Sequence, residues 1–164
     1  MHGIDELLGL LEAQQTLLTR LLGLTREERD CLLDSRLDRL EAIVAEQTEL
    51  LTAQRTLSTR IAAQLARLAA DQGLEGRITL ARVAETLPEP AAAHVTTYYR
   101  TITTLTETVQ REGRTNWHLS QQALKYVDFT LKLIGRAGEG ARLYSPTAQA
   151  APRPAVQLWL DRSA

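Results

Sequence analysis

The sequence predicts an all-α protein: an elongated antiparallel bundle of three long helices, with a short connecting helix and a flexible C-terminal tail. Three observations favour this fold class. Apolar residues recur at steps of three, four and seven along most of the chain, no proline occurs before Pro88, and glycine and proline cluster between and after the periodic stretches. A β-strand would require alternation by two, which adjacent pairs such as Leu17-Leu18 break.

The first helix is predicted from Ile4 to Leu33, where leucines form a broad stripe. The sequence Asp34-Ser35-Arg36 is the expected break. Ser35 has a side chain suited to an N-cap, and Asp38 follows three residues later, as in a capping box. A second helix should therefore begin here and run to about Ala70.

The second helix carries an apolar seam with strict three-four spacing. We predict that it consists of Leu37, Leu40, Val44, Gln47, Leu51, Gln54, Ser58, Ile61, Leu65 and Leu68. Such a seam lets the two helices pack as an antiparallel hairpin, and a continuous rod through residue 70 is the competing geometry.

A connection containing Gly73 and Gly76 leads to a short helix, for which Thr79 is the predicted N-cap. The third long helix should begin just after Pro90, and glycines near residues 135–140 should end it. We predict a helical domain over residues 1–138. Residues 139–164 should form a flexible tail with a short apolar segment at 156–160.

Composition excludes several classes of function. A formal net charge of −1 provides no basic field for nucleic acid, and no apolar run approaches the length of a membrane span. The start of the chain does not resemble a signal peptide, and the single cysteine, Cys31, cannot form an intramolecular disulfide. We therefore expect a cytoplasmic protein without stable membrane insertion.

No motif for catalysis, for a metal or for a cofactor occurs in the sequence. Cys31 lacks the cationic setting of a reactive thiolate. His94 and His118 are about 24 residues apart on one helix, which is too far for a shared metal site. We expect no catalytic residues, no metal and no cofactor.

Two features of the third helix point to binding. Asn116 interrupts an apolar stripe, and this pattern is consistent either with hydrogen bonding between helices or with direct contact to a partner. After it, two apolar stripes lie side by side up to Ile134. Two stripes need two covering surfaces, so the second is either buried inside the bundle or receives a partner helix or a second copy of the chain.

The sequence also resembles a known family. The resemblance lies in the order of the helices, in Thr115-Asn116-Trp117-His118-Leu119-Ser120-Gln121-Gln122-Ala123-Leu124, and in Leu143-Tyr144-Ser145-Pro146-Thr147-Ala148-Gln149 behind it. These features are similar to those of the FlgN flagellar export chaperones. The resemblance implies a helical cytoplasmic chaperone for the hook-associated proteins at the hook-filament junction, which it delivers to the flagellar type III export gate.

The resemblance further implies which residues act. The substrate-binding face would consist of Asn116, Leu119, Ala123, Leu124, Val127, Leu131 and Ile134. Leu143 and Tyr144 match the position associated with contact to the export gate.

The alternative function is a structural coiled-coil protein that self-assembles, or an adaptor for another helical partner. Whether the chain is a monomer or a homo-oligomer is left open.

Overall fold

A computed structural model describes the backbone of residues 2–143 and the side chains of residues 3–135. Within that part of the chain there are four helices and no strand: α1 (His2–Asp34), α2 (Leu37–Asp71), α3 (Leu80–Thr86) and α4 (Ala91–Leu143). The all-α class, with three long helices and a short one, is confirmed. The chain divides into two compact units, Met1–Gln122 and Ala123–Ala164.

Helices α1 and α2 form the predicted antiparallel hairpin. Near the turn, Arg39 pairs with Glu27 at 2.7 Å. At the far end, the Gln64 side-chain amide donates to the carbonyl of Gly3 at 2.7 Å. Residues late in α2 therefore meet residues early in α1, which excludes the continuous rod.

The turn is placed as predicted, but Ser35 does not act as predicted. It has a φ of 56°, and the N-cap of α2 is Arg36, without a side-chain cap. The Arg36 amide donates to the carbonyl of Cys31 at 3.0 Å, five residues back. This bond is the mark of a Schellman motif, so Ser35 ends α1 in the left-handed conformation instead of beginning α2.

The predicted α2 seam is correct at Leu40, Gln47, Gln54, Ile61, Leu65 and Leu68, and it is wrong at the exposed positions Leu37, Val44, Leu51 and Ser58. Leu37, Val44 and Leu51 are 72%, 48% and 48% exposed, whereas Ile43 is fully buried. The residues that face the interior also follow three-four spacing. At alternate positions, the interior residue is the one that precedes the predicted seam residue. They are Leu40, Ile43, Gln47, Leu50, Gln54, Leu57, Ile61, Gln64 and Leu68, with half-buried Leu65 beside them.

Two clusters of apolar side chains form the core of the first unit. The larger one joins the start of α1, the end of α2, α3 and the start of α4. Its buried members are Leu7, Leu10, Leu11, Ile61, Leu68, Ala69, Val83, Ala84, Leu87 and Val95. The smaller one lies near the α1–α2 turn and contains Leu24, Cys31 and Ile43.

The connection to α4 follows the sequence closely. Gly73 and Gly76 have φ values of 65° and 84°, and the Thr79 hydroxyl accepts a hydrogen bond from the Arg82 amide at 3.3 Å. Thr79 is therefore the N-cap, as predicted. The Arg82 guanidinium donates to two carbonyls of the same connection, at 2.8 and 3.0 Å.

Helix α4 begins after Pro90, as predicted, but it does not end at Gly135, Gly138 or Gly140. It runs without interruption to Leu143. Glycine costs about 1 kcal/mol in a helix interior, which weakens a helix without ending it. The predicted boundary between residues 1–138 and 139–164 thus lies inside α4 and stays a prediction, and the 156–160 segment lies outside the described residues.

Candidate functional site

The predicted substrate-binding residues all lie on α4, in two groups. Asn116 and Leu119 belong to the first compact unit, whereas Ala123, Leu124, Val127, Leu131 and Ile134 belong to the second. Of the two predicted gate residues, Leu143 is the last residue of α4, and Tyr144 lies outside the described residues.

Asn116 is 1% exposed and binds to α1. Its side-chain NH₂ donates to the carbonyl of Thr25 at 2.6 Å and to the carboxylate of Glu28 at 2.9 Å. Its side-chain oxygen accepts a hydrogen bond from Arg29 at 3.3 Å. The amide therefore makes helix–helix hydrogen bonds, the first of its two predicted roles, and fixes the register of α4 on α1.

These hydrogen bonds belong to a polar network that joins three helices. The same Glu28 oxygen that accepts from Asn116 also accepts from Gln47 of α2 at 3.0 Å. Arg29 forms an ion pair with Glu112, one turn before Asn116. Two neutral amides donate to the Glu28 carboxylate and Glu112 pairs with Arg29, so each charged side chain of this partly buried network has a polar partner.

The network also shows that α4 runs parallel to α1 within the first unit. Thr25 meets Asn116, and the start of α1 shares a core cluster with Val95 at the start of α4. Between these points, threonines on α4 bond back to the carbonyl four residues earlier. Examples are Thr96, Thr101 and Thr106. Their hydroxyls are therefore satisfied within the helix.

The second group of predicted residues forms an exposed apolar surface. Leu124, Val127, Leu131 and Ile134 follow one another at steps of three and four and are 53–64% exposed. We call these four residues the α4 apolar surface. Ala123 beside them is also exposed, and Leu119 is half-buried.

Sequence reasoning left three further exposed residues of the same helix out of the site. Tyr126, Phe129 and Leu133 are 72%, 59% and 50% exposed. At 100° per residue this group is centred roughly 150° around α4 from the centre of the α4 apolar surface. Tyr126 and Leu133 continue the first of the two stripes predicted from the sequence, which was the signal for them, whereas Phe129 lies outside both stripes.

Charged residues occupy only a narrow strip of this stretch of α4. Lys125, Asp128 and Lys132 are spaced by three and four, and Asp128 pairs with Lys132 at 2.6 Å. Apart from Thr130, whose hydroxyl donates to the Tyr126 carbonyl, the rest of the circumference carries apolar side chains. A helix that is apolar on most sides is normally buried, so the exposure of this stretch is unusual.

The grooves and titratable side chains of the described residues add no further candidate site. Two open grooves of about 520 and 600 Å³ lie in the first unit, one against α3 and one between α1 and α4. Among the described residues, no group of histidine, cysteine and carboxylate side chains is arranged to hold a metal ion. Cys31 is 1% exposed and packs with Leu24 and Ile43 as an apolar residue.

A family model described as FlgN protein matches residues 1–152. The chain belongs to the FlgN family. The FlgN proteins are flagellar export chaperones, so the resemblance seen in the sequence is confirmed and the partners of this chain belong to flagellar export. The family match includes the α4 apolar surface and Tyr144.

Neither the curated proteins nor the solved structures contain a match to this FlgN-family chain. Within residues 2–143, no helix of this FlgN protein combines the length and apolar character of a membrane span.

Proposed function

We propose that this FlgN-family protein is a cytoplasmic chaperone of the hook-associated proteins. It binds their C-terminal helical segments, prevents their premature association and delivers them to the type III export gate. The observation that carries this proposal is the α4 apolar surface, whose four large side chains are all more than half exposed.

The geometry favours a helical substrate. The α4 apolar surface advances by three and four residues, which is the spacing that the apolar face of an amphipathic helix matches when two helices pack side by side. Tyr126, Phe129 and Leu133 provide a second apolar side, so a substrate with two helical segments can cover both sides of α4. Such contact would bury the faces through which free substrates self-associate.

The proposed binding needs no catalytic group and no nucleotide. Burial of apolar area contributes about 25 cal/mol per Å², from which the cost of ordering the substrate is subtracted. A chaperone that hands its substrate on must also release it. We therefore expect moderate affinity, determined by contact area and not by buried ion pairs.

The site residues have different roles in this proposal. Leu124, Val127, Leu131 and Ile134 contact the substrate, with Leu119 and Ala123 at the edge of the contact. Asn116 acts indirectly, because its amide bonds to α1 and positions the helix. Leu143 and Tyr144 contact the export gate.

Calorimetric titration of the full chain with C-terminal segments of the hook-associated proteins from the same genome tests substrate binding. We expect stoichiometric binding with a negative change in heat capacity, since apolar surface is buried. Leu131→Asp should weaken binding more than tenfold, because a carboxylate would be buried against an apolar partner.

A matched control separates contact from charge. Lys125→Asp changes the charge of the same helix by more than Leu131→Asp does, but it lies on the charged strip. It should leave the affinity within about twofold of the native value. Equal losses in both variants, or no binding by the native chain, would contradict the proposed face.

Delivery to the gate is tested separately with Tyr144→Ala. This variant should bind the substrate segment with native affinity but lower the amount of hook-associated protein exported by cells. Leu131→Asp should lower both quantities. Loss of substrate binding in Tyr144→Ala would contradict the division between substrate face and gate contact.

A further inference from the structure

A second exposed apolar surface lies on α2, in the first unit. Leu37, Val44 and Leu51 are spaced by seven residues and are 48–72% exposed. They lie beside the seam that packs in the hairpin, and exposed Glu41, Thr48 and Arg55 alternate with them. We call these six residues the α2 outer stripe. Its steps of four and three are those of a helix that packs on another helix.

The two charged residues of the α2 outer stripe form no ion pair with the residues that the structure describes. Among the described residues, the ion pairs of α2 involve Arg39, Glu46 and Arg67, and neither Glu41 nor Arg55 takes part in one. Both side chains are exposed. They can therefore pair with a partner that carries the opposite charges at the matching positions along the helix axis.

The two charged residues of the stripe are placed symmetrically about Thr48. Glu41 precedes Thr48 by seven residues and Arg55 follows it by seven, while Val44 and Leu51 lie four before and three after. If a second copy of α2 packs antiparallel across a two-fold axis at Thr48, Glu41 of each copy faces Arg55 of the other. Val44 then packs near Leu51 of the second copy.

A parallel arrangement of the same stripes has the opposite electrostatics. It would place Glu41 beside Glu41 and Arg55 beside Arg55, and like charges at such short range destabilise a contact. The Thr48 hydroxyl donates to the carbonyl of Val44 at 2.8 Å, so placing Thr48 on the axis leaves no hydroxyl donor unpaired.

We propose that the α2 outer stripe is the interface of an antiparallel homodimer, with a two-fold axis at Thr48. The partner that it fits is a second copy of this chain. The stripe is short and its charges are exposed, so the dimer should be reversible and weak compared with obligate dimers, whose interfaces are larger and more apolar. It is separate from the α4 apolar surface proposed for substrates.

Charge reversal in the full chain tests this interface by sedimentation equilibrium over a series of concentrations. Glu41→Arg and Arg55→Glu should each weaken the dimer about tenfold, because each places two repulsive pairs where two attractive pairs stood. The double variant Glu41→Arg/Arg55→Glu should dimerise as the native chain does.

A mixture of the two single variants is the sharper test. One copy then has arginine at positions 41 and 55 and the other has glutamate at both, so their heterodimer contains only attractive pairs. We expect the mixture to dimerise with near-native affinity although neither variant does so alone. Failure of the mixture to form heterodimers would overturn the antiparallel register.

Cysteine cross-linking gives an independent readout of the axis. Thr48→Cys should form a disulfide between copies under oxidation, because the two equivalent side chains meet at the axis. Ala53→Cys is an exposed control on the far side of α2 and should not cross-link. Equal cross-linking of the two variants would overturn the placement of the axis.

Two further variants, each measured for dimerisation and for substrate binding, distinguish this interface from the proposed substrate site. Leu131→Asp should leave dimerisation unchanged, and Val44→Asp should abolish it while substrate segments still bind. A native chain that stays monomeric at every concentration would overturn the dimer but not the chaperone proposal. Loss of substrate binding in Val44→Asp without any effect on self-association would show that substrates occupy the stripe instead.

Discussion

Helix α4 contains two regions with the same periodicity and opposite environments. In the first unit, Val95 is fully buried and Asn116 is 1% exposed, because α1 covers them. In the second unit, Val127 and Leu131 are 53% and 63% exposed. Periodicity therefore shows which residues share a face of a helix, whereas the presence of a covering element has to be seen in the structure.

The largest effect on stability should come from the first region. Asn116→Ala removes the partner of a Thr25 carbonyl and of the Glu28 and Arg29 side chains in a partly buried network. We expect a loss of about 3 kcal/mol in the free energy of unfolding, measured with urea.

Thr115→Ala is the neighbouring control. Thr115 is exposed and its hydroxyl bonds only to the carbonyl of Arg111 in its own helix. Its removal should change the free energy of unfolding by less than about 0.5 kcal/mol. If the two variants were equally stable, Asn116 would not anchor α4.

The next largest effect on stability should come from replacing valine by alanine, and it should differ between the two regions of α4. Val95→Ala opens a gap in the larger core cluster and should cost about 2 kcal/mol of unfolding free energy. Val127→Ala removes the same atoms from an exposed position and should cost less than about 0.5 kcal/mol. Equal losses in the same urea experiment would mean that Val127 is covered within the chain.

The smallest predicted effect is a pH dependence at the α1–α2 turn. Arg39 donates a hydrogen bond to Glu27 and lowers the pKa of that carboxyl from its ordinary value. Because the pKa is lower in the folded state, the pair stabilises the protein above the unfolded pKa, and this contribution is lost as the pH falls through the folded pKa.

Glu27→Gln removes the titrating group. The free energy of unfolding, measured as a function of pH, should therefore fall less steeply at acidic pH in this variant than in the native chain. The effect should be slight, since both side chains are 41% exposed and water screens the pair. Glu49→Gln, at an exposed position of α2 for which no ion pair is found among the described residues, is the control. If the free energy of unfolding fell equally steeply at acidic pH in Glu27→Gln and in the native chain, other carboxyl groups would be responsible for that fall.

The sequence predicted most of the fold, and its errors have physical causes. The fold class, the α1–α2 break and the Thr79 cap follow from local rules, since each depends on a few neighbouring residues. The α2 seam was wrong at alternate positions because apolar residues occur in adjacent pairs, such as Ile43-Val44 and Leu50-Leu51. Both members of a pair fit the three-four spacing, and only packing against α1 decides between them.

The candidate site was harder to predict than the fold. The sequence identified Asn116 as unusual but left two roles open, and the hydrogen bonds to Thr25 and Glu28 could not be foreseen without the position of α1. Phe129 was missed because it does not follow either stripe. The end of α4 was misplaced because the cost of a glycine was treated as a stop signal.

The spacing of the interhelical bonds along the chain sets an order of assembly. Bonds that close the hairpin near its turn join residues 12 to 26 apart, whereas those that attach α4 to α1 join residues 83 to 91 apart. Closing a short loop costs less entropy, so the hairpin can form on the ribosome before α4 has been synthesised. The nascent hairpin therefore exposes leucines of α1 until α4 arrives, and α4, which is translated after α1, α2 and α3, completes the core of the first unit.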